Sequence, residues 1–461
     1  MSGLDRRSFL RASALTSGAL LAPSLTGLIS CATSPSMRAD PQGRGTETGD
    51  GGYGPLVPST EVAEIISIPV GFHAALLSRS GRRMVGGVVP NAFDGMAAFA
   101  AGRDRVRLVR NHEIRDTPDV SRPFGDTPYD PIGPGGTTTL EIRVAADGRA
   151  RLLREFASLT GTIVNCAGGP TPWGSWITCE ETVAGTGQGW SRNHGYNFEV
   201  PSSANGVVNP VRLGAMGRFQ HEAVAIDPAT GWIYQTEDRM PAGFYRFKPT
   251  VPGQLAGGGL LEALAIQGEE GHDTRTNQAL LTPRKVSWVR IEQPDSDAAT
   301  LDSGFVFNQG LAQGAAQFAR LEGCWYGDQS IYFNATTGGN AGAGQVWQYH
   351  PCREELRLIF ESPSPAVLKS PDNICVSPRG GIVLCEDGVG TNYVRGLSRK
   401  GTIFDLLRNN VNELEWTGAC FSPQGRTLFV NIQGNTQPIK DPNGANGLTF
   451  AIWGPWELGA L

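Results

Sequence analysis

Short apolar runs broken by turn residues recur along the chain, and long amphipathic stretches do not. Three segments show the pattern most plainly: Glu222–Glu237, Asp372–Asp387 and Thr417–Ile432. Each is a short apolar strand, a turn of Pro-x-x-Gly or closely similar form, and a second apolar strand. Proline sets φ at the turn entry and glycine accepts positive φ at its exit, so each unit reads as a β-hairpin. Looser copies run from Cys166 through Pro172-Trp173-Gly174 to Glu181 and from Glu322 through Gly327-Asp328 to Thr337, and the earliest ends at Asn111-His112-Glu113. Starts at 166, 222, 322, 372 and 417 lie one propeller blade apart, with one doubled gap. The pattern predicts an all-β chain: a β-propeller of six blades with inserted loops, or of seven if the stretch 238–321 holds another. The Gly-rich, polar stretch 253–283 is expected to be one such loop.

The N-terminal residues follow a different pattern. Arg6-Arg7 stands before an Ala/Leu-rich stretch from Ala12 to Ile29, so residues 1–30 read as a twin-arginine signal for export. Leu28-Ile29-Ser30-Cys31 also resembles a lipoprotein processing box, which makes Cys31 a candidate lipid site. Residues 31–58 are rich in Pro, Gly, Ser, Thr and charge and read as a flexible linker, leaving 59–461 as one propeller domain. No later stretch reaches the roughly 18 apolar residues of a spanning helix. The expectation is a periplasmic or secreted monomer, soluble or lipid-tethered. A formal net charge of -5 gives no basic footprint for nucleic acid. Seven of the eight cysteines lie beyond Cys31, and an odd number leaves at least one unpaired in an oxidising compartment.

Candidate chemistry sits at the ends of the hairpins. Cys166 and Glu181 are fifteen residues apart, as are Glu222 and Glu237, and Asp372 and Asp387. Hairpin strands run antiparallel, so the opening and closing residues fall at the same end of a blade. Glu322 opens a further hairpin in the equivalent place and Glu113 closes the first. Around a propeller, such positions gather carboxylates and one thiol at a single mouth of the channel. An acid at a hairpin end ordinarily caps a turn or faces water, but recurrence at one place in several hairpins argues for cations. Crowded carboxylates repel and raise one another's pKa values. Hard ions such as Ca²⁺ relieve this, and the softer Cys166 thiolate would favour iron or zinc.

Six histidines are too few for a His-rich zinc site. His112 and His221, each preceding a Glu, read as packed strand-end residues or proton carriers flanking the mouth. Arg320 lies two residues before Glu322 and so on the same strand face; a guanidinium beside cations suits phosphate oxygens. Arg239, next to Glu237-Asp238, is a weaker candidate of the same kind. No Gly-x-Ser-x-Gly elbow and no P-loop occurs.

The run Asn165-Cys-Ala-Gly-Gly-Pro-Thr-Pro-Trp-Gly-Ser-Trp-Ile-Thr-Cys-Glu-Glu181 closely resembles the most distinctive motif of the PhoX-type alkaline phosphatases. Asn111–Glu113, Gly217–Glu222, Arg320–Glu322, Pro371–Asn373 and Thr417–Pro423 are similar to further motifs of that family and stand in family order. Gln433-Gly-Asn435 and Gln235–Arg239 depart from it. The resemblance implies a periplasmic or secreted propeller enzyme that hydrolyses small phosphate monoesters at a site combining iron and calcium. It implies a catalytic set of Cys166, Glu322 and Arg320: a thiolate bridging two irons, a metal ligand and a substrate contact. Glu180, Glu181, Glu222, Glu237, Asp238, Asp372 and Asp387 fall where other metal ligands are expected. Two rivals share the frame. A calcium-dependent propeller lactonase or phosphotriesterase would not need Cys166, and a non-catalytic binding propeller would hold no transition metal.

Overall fold

The apolar runs form antiparallel sheets, each begun by a strand that packs against its counterparts in the neighbouring sheets. These inner strands are Phe93–Ala100, Asn165–Pro170, His221–Ile226, Leu321–Gly327, Pro371–Val376 and Trp416–Phe421. They lie side by side in chain order, and the last returns to the first. Further strands add outward from each in sequence, as in Phe93–Ala100, Arg105–His112, Gly135–Val144 and Ala150–Thr162. The ring of sheets is a β-propeller. It is closed by a strand from the other end of the chain: His73–Arg79 pairs with Leu448–Trp453 and completes the C-terminal sheet. The computed structural model describes residues 52–115, 117, 118, 122–436 and 446–461. The expected signal segment, Cys31 and most of the expected linker lie outside these residues.

The structure assigns the stretch 238–321 and corrects two expectations. The stretch 238–321 contributes the outer strands Phe244–Pro249, Gly259–Ile266 and Arg284–Arg290, and no inner strand before Leu321. Gly259–Ile266 runs through the supposed loop 253–283, and buries Leu261, Ala263, Leu264 and Ile266. The flanking Gly257-Gly258-Gly259 had masked a plain apolar run. The end of the supposed linker is also ordered. Leu56–Pro58 pairs with Ile66–Pro69. Tyr53 packs edge-on against Phe72, Phe404 and Trp456, and its hydroxyl donates to the Leu461 carbonyl at 3.0 Å.

All six inner strands break register near their start. The shifts fall between Phe93 and Met96, Asn165 and Gly168, His221 and Val224, Leu321 and Cys324, Pro371 and Ile374, and Thr417 and Cys420. A bulge of this kind re-aims the side chain beside it. Asp94, Cys166, Glu222, Glu322 and Asp372 lie inside five of the shifts. Small residues let the strands approach there. A Cβ on Gly323 would stand 2.6 Å from the Asp372 carbonyl oxygen, and one on Gly418, at φ +62°, 2.5 Å from that of Asp94. Beneath this level the axis is filled. Trp325 packs against four separate apolar clusters, and a void of ≈ 10 Å³ remains among Met96, Trp176 and Trp325. That is about the room of one water molecule.

Candidate metal centre

The bulged positions and the ends of the second strands converge. Four overlapping groups have ligand atoms within 4.8 Å of one another: Asp94–Glu113–Cys166, Cys166–Glu181–Glu222, Glu222–Glu322–Asp372, and Asp372–Asp387–Glu415. Asp94, Glu113, Cys166, Glu181, Glu222, Glu322 and Asp372 are buried, whereas Asp387 is exposed and marks the open side. The groups come from five different sheets, so the cluster exists only when the ring is closed.

Glu222 is the most demanding member. Both of its carboxylate oxygens are buried and neither has a hydrogen-bond partner among the described residues. An ionised carboxylate so placed is costly unless a cation or proton meets it. Burial, followed by the charges of Glu322 and Asp372, holds its pKa well above the usual carboxylate range. Burial likewise raises Asp94, Glu181 and Glu322, and pushes Asp372 up to about 7. The Cys166 thiol is driven well up by burial and then by Asp94, Glu222, Glu113 and Glu181. Such shifts describe a site short of positive charge, and a metal ion reverses them by taking the deprotonated forms as ligands. Carboxylates alone suit hard cations; carboxylates with a thiolate also suit iron or zinc.

Two guanidinium groups border the cluster. Arg320 donates from Nε and Nη2 to Asp238 at 2.9 and 2.8 Å, and from Nη2 to Glu322 at 2.7 Å. Its side chain is 37% exposed on the open side. Arg115 donates from Nη2 to Glu181, and the same nitrogen is ion-paired with Glu113. Asp238 lies close enough to Glu181 to help raise its pKa, between the two arginines. Gln433 donates to Glu113 at 2.6 Å and to Asp94 at 3.0 Å.

Side chains of the second strands hold the bulged backbones of the following sheet. Asn111 donates to the Cys166 carbonyl at 3.0 Å, Thr236 to that of Glu322 at 2.6 Å, and Asn334 to that of Asp372 at 2.7 Å. Asn431 donates to the Asp94 carbonyl at 2.8 Å, across the closure of the ring. These bonds meet backbone groups that the register shift leaves without a strand partner.

Most of the expected ligands come together: Cys166, Glu181, Glu222, Glu322, Asp372 and Asp387 share the cluster, with Asp238 and Arg320 at its border. Glu180 and Glu237 do not. Successive side chains on a strand alternate, and each is paired across its hairpin, with Asn165 and His221 respectively, facing away. Glu180 accepts from His194 Nδ1 at 2.6 Å and from the backbone of Ile163, Gly195 and Tyr196. Glu237 accepts from Tyr245 at 2.7 Å and from the Gly243 backbone at 2.9 Å. Arg239 turns to the Pro241 carbonyl rather than to the mouth. His112 and His221 are packed strand-end residues. His112 sits between the Asn91 carbonyl and Thr138, His221 bonds the Gly217 carbonyl, and burial keeps both pKa values low, that of His221 at about 3.

Asp94, Glu415 and Arg115 complete the constellation and escaped the sequence reading. Asp94 is nineteen residues from Glu113, because that hairpin's strands are longer, so a search at fixed spacing passes over it. Walking back from Glu113 to the start of the preceding apolar run would have reached it. Glu415 stands just before its inner strand rather than on it. Among the described residues the six buried cysteines form no disulfide with one another, and only Cys166 lies among the acids.

Comparison with known proteins agrees with this geometry. The chain matches the structure of Pseudomonas fluorescens PhoX in complex with vanadate, a transition state analogue, at a TM-score of 0.65 and 18% identity, over 88% of this chain and 98% of that one. A gluconolactonase of Xanthomonas campestris matches at 0.40 and 14% identity, over 87% and 98%, too low to bear on function. Curated protein sequences give no match. The sequence model of the family described as alkaline phosphatase PhoX covers residues 51–435, which span every member of the cluster from Asp94 to Glu415, and the chain therefore belongs to that family.

Proposed function

We propose that this chain is an exported phosphatase that hydrolyses phosphate monoesters at iron and calcium ions held in the propeller mouth. The observation that carries the reading is Glu222, a buried carboxylate with both oxygens unmet at the centre of four ligand groups. The donor set fits the two metals. Iron would be held about Cys166 with Glu181 and Glu222, where a thiolate joins carboxylates. Calcium would be held by the all-oxygen groups Glu222–Glu322–Asp372 and Asp372–Asp387–Glu415. When bound, such cations neutralise the charge that builds on phosphoryl oxygens during transfer.

The chain's own residues supply orientation. Arg320, fixed by Asp238 and Glu322, presents a guanidinium at the open side that can donate to a phosphate oxygen. The Thr336 and Thr417 hydroxyls donate to the carbonyls of Pro371 and Phe93 at 2.6 and 2.7 Å. Neither is set as a nucleophile. The vanadate held by the Pseudomonas fluorescens protein supports phosphoryl chemistry on this frame. Export to the periplasm or beyond is supported by the Arg6-Arg7 signal. Six buried cysteines with no disulfide among them suit a chain that folds before it leaves a reducing compartment.

The test is Cys166→Ala. Bound iron and hydrolysis of p-nitrophenyl phosphate should disappear together, and full activity with an unchanged metal count would refute the assignment. Panels of lactones and phosphotriesters, run alongside, separate the rival hydrolases.

A further inference from the structure

The acids of the mouth are not equally bare. Around Asp94 and Glu113 every carboxylate oxygen already faces either a hydrogen-bond donor or a cation. Asp94 accepts from the Gly95 backbone at 2.7 Å and from Gln433 at 3.0 Å. Glu113 accepts from Gln433 at 2.6 Å through one oxygen, and its other oxygen is ion-paired with Arg115. Around Glu222, two sheets away, no oxygen is met. We infer that Arg115 is a built-in cation: its guanidinium stands between Glu113 and Glu181 in the place of a bridging ion, and so limits how many metals the mouth takes. The inference rests on reading the mouth as a cation cluster.

Several features converge on this role. One nitrogen, Nη2, serves both carboxylates, as a single metal ion would. The two acids close hairpins of neighbouring sheets, so the nitrogen ties one sheet to the next, as the ligand groups Cys166–Glu181–Glu222 and Glu222–Glu322–Asp372 do elsewhere in the ring. Arg115 is held in place by its backbone, whose N–H donates to the Thr436 carbonyl at 2.9 Å, just beyond Gln433. A guanidinium keeps its charge at any ordinary pH. Calcium needs six to eight oxygens, and here the oxygens it would share are already committed. The metals are thereby confined to the arc from Cys166 to Glu415.

Elemental analysis of wild-type protein, Arg115→Gln and Arg115→Lys, equilibrated side by side with calcium, tests this. Arg115→Gln should hold about one more calcium per chain than the wild type, while Arg115→Lys, which keeps a cation, should match the wild type. Equal counts in wild type and Arg115→Gln, or a lower count in the variant, overturn the inference. A wild type that holds no metal at all instead sinks the phosphatase reading, since the inference is read from the difference between the proteins. If Arg115→Gln is recovered unfolded, it is refolded with and without calcium. Recovery that needs calcium in the variant alone supports the substitution of arginine for an ion, and no recovery in calcium overturns it.

Discussion

Glu180 and Glu181 are chain neighbours, both buried, and they sit in opposite circumstances. Glu180 belongs to an ion network that is complete in itself. Its oxygens take three backbone N–H groups and His194, whose other ring nitrogen stands 3.3 Å from Asp130. The paired charges hold Asp130 below its usual range and lift His194 to about 9. Glu181 faces the mouth, where burial lifts it together with Glu222 and Glu322. The difference teaches that a count of buried acids identifies nothing. What marks the mouth is negative charge that the chain meets only in part, and at Glu222 not at all, and what marks the other cluster is charge that it meets in full.

The contrast can be broken at its strongest point first. Glu222→Gln should lower phosphatase activity by on the order of 10²–10³-fold, because the cation it would hold is what stabilises transition-state charge. The same variant, stripped of metal, should unfold at higher denaturant than the stripped wild type, because an unmet carboxylate is gone. A stripped variant less stable than the stripped wild type would contradict the account. His194→Gln should do the reverse, costing about 3–5 kcal/mol by leaving Glu180 buried without its counter-ion. Urea unfolding would measure this, with activity per folded molecule preserved.

The two regions should also part in their response to pH. His194 has its folded pKa raised from 6.5 to about 9. Its contribution is therefore fully present below roughly pH 6.5 and lost as pH climbs through the folded value. Asp372 has its folded pKa raised from 3.8 to about 7. The folded form then binds a proton that the unfolded chain has released, so metal-free protein should gain stability as pH falls from about 7 towards 4. Saturating calcium should abolish that gain, and unfolding midpoints across pH with and without calcium would show it. Smallest of all, Asn334→Ala should cost about 1 kcal/mol by freeing the Asp372 carbonyl, with weaker calcium binding in titration calorimetry.

Much of the frame was legible because hairpins announce themselves. Proline and glycine punctuate Glu222–Glu237 and Asp372–Asp387 at nearly matching places, and antiparallel pairing does the rest. What failed was a matter of one residue. The turn after His221–Ile226 closes from Asp227 to Trp232, whereas the turn after Pro371–Val376 closes from Ser377 to Gly381. The extra residue moves the mouth-facing position from Glu237 to Asp238, since a one-residue slip exchanges the two faces of a strand. Arg115 was illegible for another reason. It follows a strand rather than lying on one, and its importance comes from Glu181, which is remote in sequence. Glu180 and Glu181 could be told apart only by register, which the bulge after Asn165 sets.

His73–Arg79 supplies the last strand of the sheet built on Leu448–Trp453. A ribosome must therefore release almost the entire polypeptide before the circle can shut, and the cation pocket, drawn from five sheets around that circle, has no partial form. Shortened products missing either extremity should bind ions poorly however well their individual hairpins form.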